Sequence, residues 1–173
     1  FTSTNADDSD VFIFADTAAN NGVDTLLSFD GTQDQDELNF DAFLGTVATI
    51  SVALGVAGAD GAEGGTLLAA TAGAEGVAGT DLDDSVIFFD KTDAATNTIE
   101  EIQALISAAG ADDAFKLAAD KKAVILHGDT SDGEQTFDIY YVTGTAGDTE
   151  SMIKVGVVTF ADGDAITPEA FGI

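Results

Sequence analysis

The chain has no cysteine, no arginine and no tryptophan, and only one proline, one methionine and one histidine among 173 residues. Each absence removes a class of function. Without cysteine no disulfide staples the fold, and no thiolate is present to bind a metal or attack a substrate. With 5 lysines against 32 acids the formal net charge is -27, and no basic patch exists to neutralise phosphates. Nucleic acid is therefore excluded as a partner, and anionic membrane surfaces are disfavoured. Zinc sites and nucleophilic triads mostly need histidine. The single one, His127, stands just before Gly128-Asp129 and reads as a surface or strand-end residue. The glycines at Gly61, Gly64 and Gly65 have no lysine beside them, so they make no phosphate loop. Carboxylate pairs of the glycosidase kind are so easily drawn from 32 acids that they point to none in particular. No enzyme is expected.

Long apolar runs are also missing. Ala42 to Ala59 carries no charge over 18 residues, but it holds three glycines and is bracketed by Asp41 and Asp60. Its larger residues alternate with smaller ones from Ala48 to Val56, as in a half-buried strand. No transmembrane segment is expected, since a spanning helix takes about 20 apolar residues. The chain starts at Phe1 without a basic, apolar leader, which reads as a processed or excerpted product.

What the chain does have is carboxylate and apolar surface together. The hydrophobic fraction is 45%, with 12 phenylalanines, enough for a core and too much for a disordered acidic chain. So many like charges repel one another in the compact state, so the chain needs salt or bound cations. At this length one β-rich domain over 1–173 is the simplest reading, with two related halves, 1–79 and 80–173, as a variant.

Most segments read as strands. Asp10 to Phe14 is apolar on both faces, as is Ser85 to Phe89. Asn21-Gly22 is a turn signal. Thr25 to Phe29 follows, and Leu38 to Leu44 re-enters the core through Leu38, Phe40 and Phe43. Gly55 to Gly79 is rich in glycine and alanine and reads as loop. One helix, over about 98–109, is expected. Asn97 or Thr98 caps it, Glu100 and Glu101 sit in its first turn, and Ile99, Ile102, Leu105 and Ile106 form an apolar stripe. Three strands follow: Ala123 to His127, Thr136 to Val142 and Ser151 to Phe160. Phe137, Ile139 and Tyr141 share one face, and Ile153, Val155 and Val157 another. The expected fold is mainly β, an antiparallel sandwich or meander with one packed α-helix. A weak echo supports the two-half variant: Asp7-Asp-Ser-Asp-Val-Phe-Ile-Phe14 resembles Asp83-Asp-Ser-Val-Ile-Phe-Phe89.

The acids gather in the turns. Calcium takes six to eight oxygens from carboxylates and carbonyls in a flexible loop. Asp7, Asp8 and Asp10 form one such cluster. Asp30, Asp34, Asp36 and Glu37 form a second, and Asp81, Asp83 and Asp84 a third. None has the spacing of an EF-hand. The alternative is a solvated acidic surface, and high salt rather than calcium would then be the requirement.

Asp24 to Asp30 followed by Asp34 to Phe43 resembles the segment after the calcium-binding nonapeptide repeats of bacterial type I-secreted (RTX-type) proteins. Phe29, Leu38, Phe40 and Phe43 match its apolar positions, and Asp24 and Asp36 its acidic ones. Ser28 stands where that family commonly has Asp. The Gly-Gly-x-Gly-x-Asp repeats are absent, so no β-roll is expected. Phe137 to Val142, Val155 to Phe160 and Ile166 to Ile173 are similar to the extreme C-termini of the same class, which act as export signals. The resemblance implies a secreted or cell-surface protein in calcium-rich surroundings. The expected function is structural: self-assembly into a filament, surface layer or adhesive matrix, calcium-assisted, with residues 10–14 adding as a strand to a neighbouring copy. The alternative is a secretion or anchoring module of a larger enzyme or adhesin.

Overall fold

A computed structural model describes residues 9–30, 36–45, 80–81, 85–90, 98–107, 115–117, 119–128, 135–145 and 151–160. The expected strand around Ile50, the glycine-rich stretch up to Gly79, and residues 161–173 lie outside them. The protein is mainly β. Its centre is a five-stranded mixed sheet in the order β2-β9-β8-β7-β5. These strands are β2 (Asp24–Phe29), β5 (Ser85–Asp90), β7 (Lys122–Gly128), β8 (Thr136–Thr143) and β9 (Ser151–Phe160). The last three form the expected antiparallel meander. The two flanks differ from the expectation: β2 runs parallel to β9, and β5 parallel to β7. Both parallel pairs join strands far apart in sequence, which requires a crossover rather than a hairpin.

Both faces of this sheet are apolar, and each has its own core. On one face Leu26, Phe29, Val86, Phe88, Val124, Leu126, Phe137, Ile139, Val155, Val158 and Phe160 form a cluster with Phe14, Leu38, Phe40, Phe43 and Leu44. The covering residues lie in or next to β1 (Val11–Ile13), β3 (Glu37–Asn39) and α2 (Asp41–Leu44). β1 and β3 pair in parallel, Phe12 opposite Leu38, as a small second sheet. On the other face Ile87, Phe89, Ala123, Ile125 and Val142 pack with Ile102 and Leu117. Ile102 belongs to α3 (Ile99–Ser107), and Leu117 follows β6 (Phe115–Lys116), which pairs with β4 (Thr80–Asp81). This double cover explains why Val86 to Phe89 and Ala123 to Leu126 are continuous apolar runs without alternation.

Local chemistry sets the ends of the elements. Thr98 Oγ1 accepts the Glu101 backbone N–H at 3.2 Å, and the Glu101 carboxylate accepts the Thr98 N–H at 3.1 Å. This reciprocal capping box starts α3 at the expected place. Two strands carry an irregularity that resets which face they show. In β9 the register shifts opposite Ile139 and Tyr140, so Gly156, Val158 and Phe160 follow Val155 onto the first core. The expected shared face of Ile153, Val155 and Val157 is broken there: Ile153 is 51% exposed and Val157 lies opposite Asp138. In β2 a shift between Leu26 and Phe29 places both in the core three residues apart, and Ser28 takes a φ of 58° to make it. That left-handed conformation costs roughly 1–2 kcal/mol for a residue with a Cβ, and burial of Phe29 offsets it.

The aromatic side chains interlock. Phe137 meets Phe88 and Phe160 edge to face at 5.4 and 5.8 Å. Phe43 stacks on Tyr141 at 3.7 Å with the Lys122 ammonium 4.7 Å above its ring. Lys122 Nζ also donates to the Phe43 carbonyl at 2.8 Å, so α2 is held from both sides. The Tyr141 hydroxyl donates to the Ala15 carbonyl at 2.7 Å, which fixes the exit of β1. The segments Asp10 to Phe14 and Ser85 to Phe89, alike in sequence, take different places: β1 lies in the two-stranded layer and β5 ends the main sheet. No helix among the described residues is long and apolar enough to cross a membrane.

Two outcomes test this packing. A Cβ on Gly128 would lie 2.3 Å from the Thr136 carbonyl oxygen and 2.5 Å from the Phe137 ring. Gly128→Ala is expected to cost at least about 1–3 kcal/mol in urea denaturation. Burial, and then the charge of Asp16, push the Tyr141 hydroxyl well above its ordinary value. A raised value means the folded chain keeps this proton longer than the unfolded one. Its contribution is therefore intact below about pH 10 and lost as pH rises beyond it. Tyr141→Phe is expected to lose about 1 kcal/mol at neutral pH and to show a shallower fall in stability at alkaline pH.

Candidate functional site

Asp10, Asp30 and Asp36 come together where β1 begins and β2 ends. Asp36 is the centre of this junction. It is 2% exposed although its side chain is a carboxylate. Its Oδ1 accepts the Asp10 N–H at 3.1 Å and its Oδ2 accepts the Asp30 N–H at 3.1 Å. The Asp36 N–H donates to the Asp30 carbonyl at 2.9 Å, and the Glu37 N–H to the Asp10 carbonyl at 2.8 Å. One side chain thus ties the start of β1, the end of β2 and the start of β3. Leu38, two residues on, is wholly buried, so the chain cannot enter the core without drawing Asp36 in behind it.

Burial raises the Asp36 pKa; the backbone N–H groups of Asp30 and Asp10 oppose the rise, and the charges of Asp10 and Asp30 add to it. Each of its oxygens already accepts a backbone N–H, which makes it a structural knot first. Its expected companions are placed differently. Asp10 and Asp30 are half-buried beside it, and Glu37 is half-buried, with its Oε1 accepting from Asn39 Nδ2 at 3.0 Å. Asp24 is exposed at the start of β2, and its Oδ2 accepts from Asn21 Nδ2 at 3.3 Å. Asp81 lies in β4, in register with Lys116 of β6. Asp7, Asp8, Asp34, Asp83 and Asp84 lie outside the described residues. Among the described residues no three His, Cys, Asp or Glu side chains are grouped to hold a metal ion.

Beside the junction lies an open groove of about 430 Å³, lined by Asp10 to Phe14 and by Asp24, Thr25 and Leu26. β2 is the end strand of the main sheet and, among the described strands, pairs with β9 alone. Phe12 and Phe14 turn inward, Phe12 onto Phe29 at 5.9 Å and Phe14 onto Phe40 at 4.6 Å. Val11 and Ile13 turn outward and are 52% and 74% exposed. The covered strand expected at residues 10–14 is therefore covered on one face by its own chain and open on the other. Val23, just before β2, is 63% exposed and Leu27, within it, 45%; neither lines the groove. His127 sits within β7, opposite Asp138 of β8 and Phe89 of β5.

Sequence reasoning missed two roles here. Asp36 read as one of four equivalent acids, and Asn21 read only as half of a turn. Asn21 Oδ1 accepts the Ala15 N–H at 2.9 Å, and its Nδ2 donates to the Val155 carbonyl at 3.0 Å. It joins α1 (Ala18–Asn21) to β9, 134 positions away. No protein-family model, curated protein or solved structure matches this chain.

Asp36→Ala is expected to cost about 1–3 kcal/mol for each backbone N–H left without an acceptor, read as a lower urea midpoint. The pH dependence has a defined sign. A raised carboxyl pKa means the charge on Asp36 is a cost to the folded state at neutral pH, relieved as pH falls through its folded value. Relative to Asp36→Asn, the unmodified chain should therefore gain stability on mild acidification.

Proposed function

We propose that this chain is an exported structural protein whose copies associate into an extracellular filament, surface layer or adhesive matrix, with calcium relieving the repulsion between them. One observation carries the reading: Val11 and Ile13 stand exposed on the outward face of β1, beside an open groove whose other wall is Asp24 to Leu26 of the end strand β2. An edge strand with exposed apolar side chains is a template for pairing with another chain. A lone soluble subunit has reason to blunt such an edge with charge at its centre, and here the groove's acids, Asp10 and Asp24, stand at the starts of the two wall segments.

The net charge of -27 supports a cation requirement, because like-charged copies repel until counter-ions intervene. Extracellular calcium sites bind with dissociation constants on the order of 0.1–1 mM, which suits an assembly formed after export. Asp10, Asp24, Asp30 and Glu37 are the acids beside the junction and groove on which such a site would draw, and Asp36 is held by backbone amides. The resemblance to type I-secreted proteins supports the same location. Phe12, Phe14 and the Asp10 backbone are built into the chain's own core and junction. Association therefore uses the outer face of residues 10–14 in place, rather than their release.

Val11→Glu with Ile13→Glu tests the reading, since both side chains are already exposed and the fold should survive. Electron microscopy and sedimentation of the unmodified chain in millimolar calcium should show polymers that chelator disperses. The double variant should remain a folded monomer. Polymers unchanged in the variant, or a chain that stays monomeric in calcium and in high salt alike, would overturn it.

A further inference from the structure

We propose that Asn21 is a conformation-gated deamidation site, which records any opening of the α1–β9 junction as a permanent covalent change. The chemistry needs only water. The Gly22 backbone nitrogen loses its proton and attacks Asn21 Cγ; the new N–Cγ bond closes a five-membered imide, and the Cγ–Nδ2 bond breaks. Nδ2 leaves as ammonia with that proton. Water then opens the imide at either carbonyl carbon and leaves aspartate or isoaspartate at position 21. Glycine is the most permissive residue to follow the asparagine, because no side chain shields its nitrogen.

In the folded chain this route is closed by named contacts. The Gly22 N–H donates to the Ala18 carbonyl at 3.0 Å, so the nucleophile is engaged. The Asn21 backbone N–H donates to the Thr17 carbonyl at 3.0 Å, which holds the residue in the last turn of α1. Its side chain is held at both ends, by the Ala15 N–H at 2.9 Å and by the Val155 carbonyl at 3.0 Å, with Asp24 Oδ2 at 3.3 Å. Bringing Cγ onto the Gly22 nitrogen requires these to break together. Gly22 is exposed, so water reaches the site as soon as they do.

The product cannot reclose the junction. An aspartate at 21 turns a donor into a charged acceptor that faces the carbonyl oxygen of buried Val155 and the Asp24 carboxylate. What α1 covers there is strand edge. β2 pairs with β9 only from Gly156 onward, and Asn21 occupies the neighbouring Val155 carbonyl. An opened and deamidated copy leaves that edge exposed for pairing. This inference stands whether or not the chain assembles.

The test is peptide mass mapping of the full chain, with an isoaspartate assay, during incubation at pH 8 in native buffer and in denaturing urea. Deamidation at Asn21 should be at least about tenfold slower in native buffer, since it must await local opening. Asn21→Asp should fold with a lower melting temperature and faster proteolysis between Asp16 and Asp24. Equal rates in the two buffers would overturn the gating. A variant Asn21→Asp that melts with the parent would overturn the claimed consequence. The rate comparison uses the unmodified chain, so it decides the gating even where the variant does not fold.

Discussion

The sheet has two apolar faces, and the rest of the molecule is arranged around the need to cover both. Val86 to Phe89 and Ala123 to Leu126 leave no side of their strands for water. Fully burying such side chains is worth about 1.5–3 kcal/mol each, and leaving either face open would forfeit several of them. Two separate coverings meet this need. The first forty-five residues supply one through β1, β3 and α2. The residues between β5 and β7 supply the other through α3 and the segment ending at Leu117. The crossovers that carry these coverings also make the flanking strands parallel.

Charge is managed by position rather than by pairing. With so few lysines, most carboxylates have no cation to meet, and within the described strands Asp24, Glu37, Asp81 and Asp90 stand at strand ends. Where an acid is drawn inside, as Asp36 is, backbone N–H groups rather than lysine satisfy it. Lys154 and Asp138 at 2.7 Å form a half-exposed pair, of a kind that contributes little to stability. Lys122 is used on an aromatic ring and a carbonyl instead. With 32 acids against 5 lysines, the proposed assembly is tied to cations from solution.

Much of the fold was legible because its signals are local. The capping box at Thr98 and Glu101, the meander of three strands, and the inward turn of Leu38, Phe40 and Phe43 each rest on neighbours in sequence. The parallel flanks were not legible, since pairing β2 with β9 joins residues more than 130 positions apart. The β9 irregularity was hidden for a related reason: Ile153, Val155 and Val157 alternate properly, and only the partner strand shifts their faces. At the candidate site the clustering of acids was visible, but the difference between Asp36 and its neighbours was not. Burial separates them, and burial belongs to the whole structure.

The net charge of -27 and the clustering of acids along the chain were determined by the sequence alone, because composition and short-range spacing need no partner. So were the β-rich class and the need for a doubly covered sheet. Tertiary structure decided which carboxylate is buried, which face of residues 10–14 meets water, and that Asn21 is a tether across the chain. Those are contacts between residues distant in sequence, set by which surfaces can be buried together.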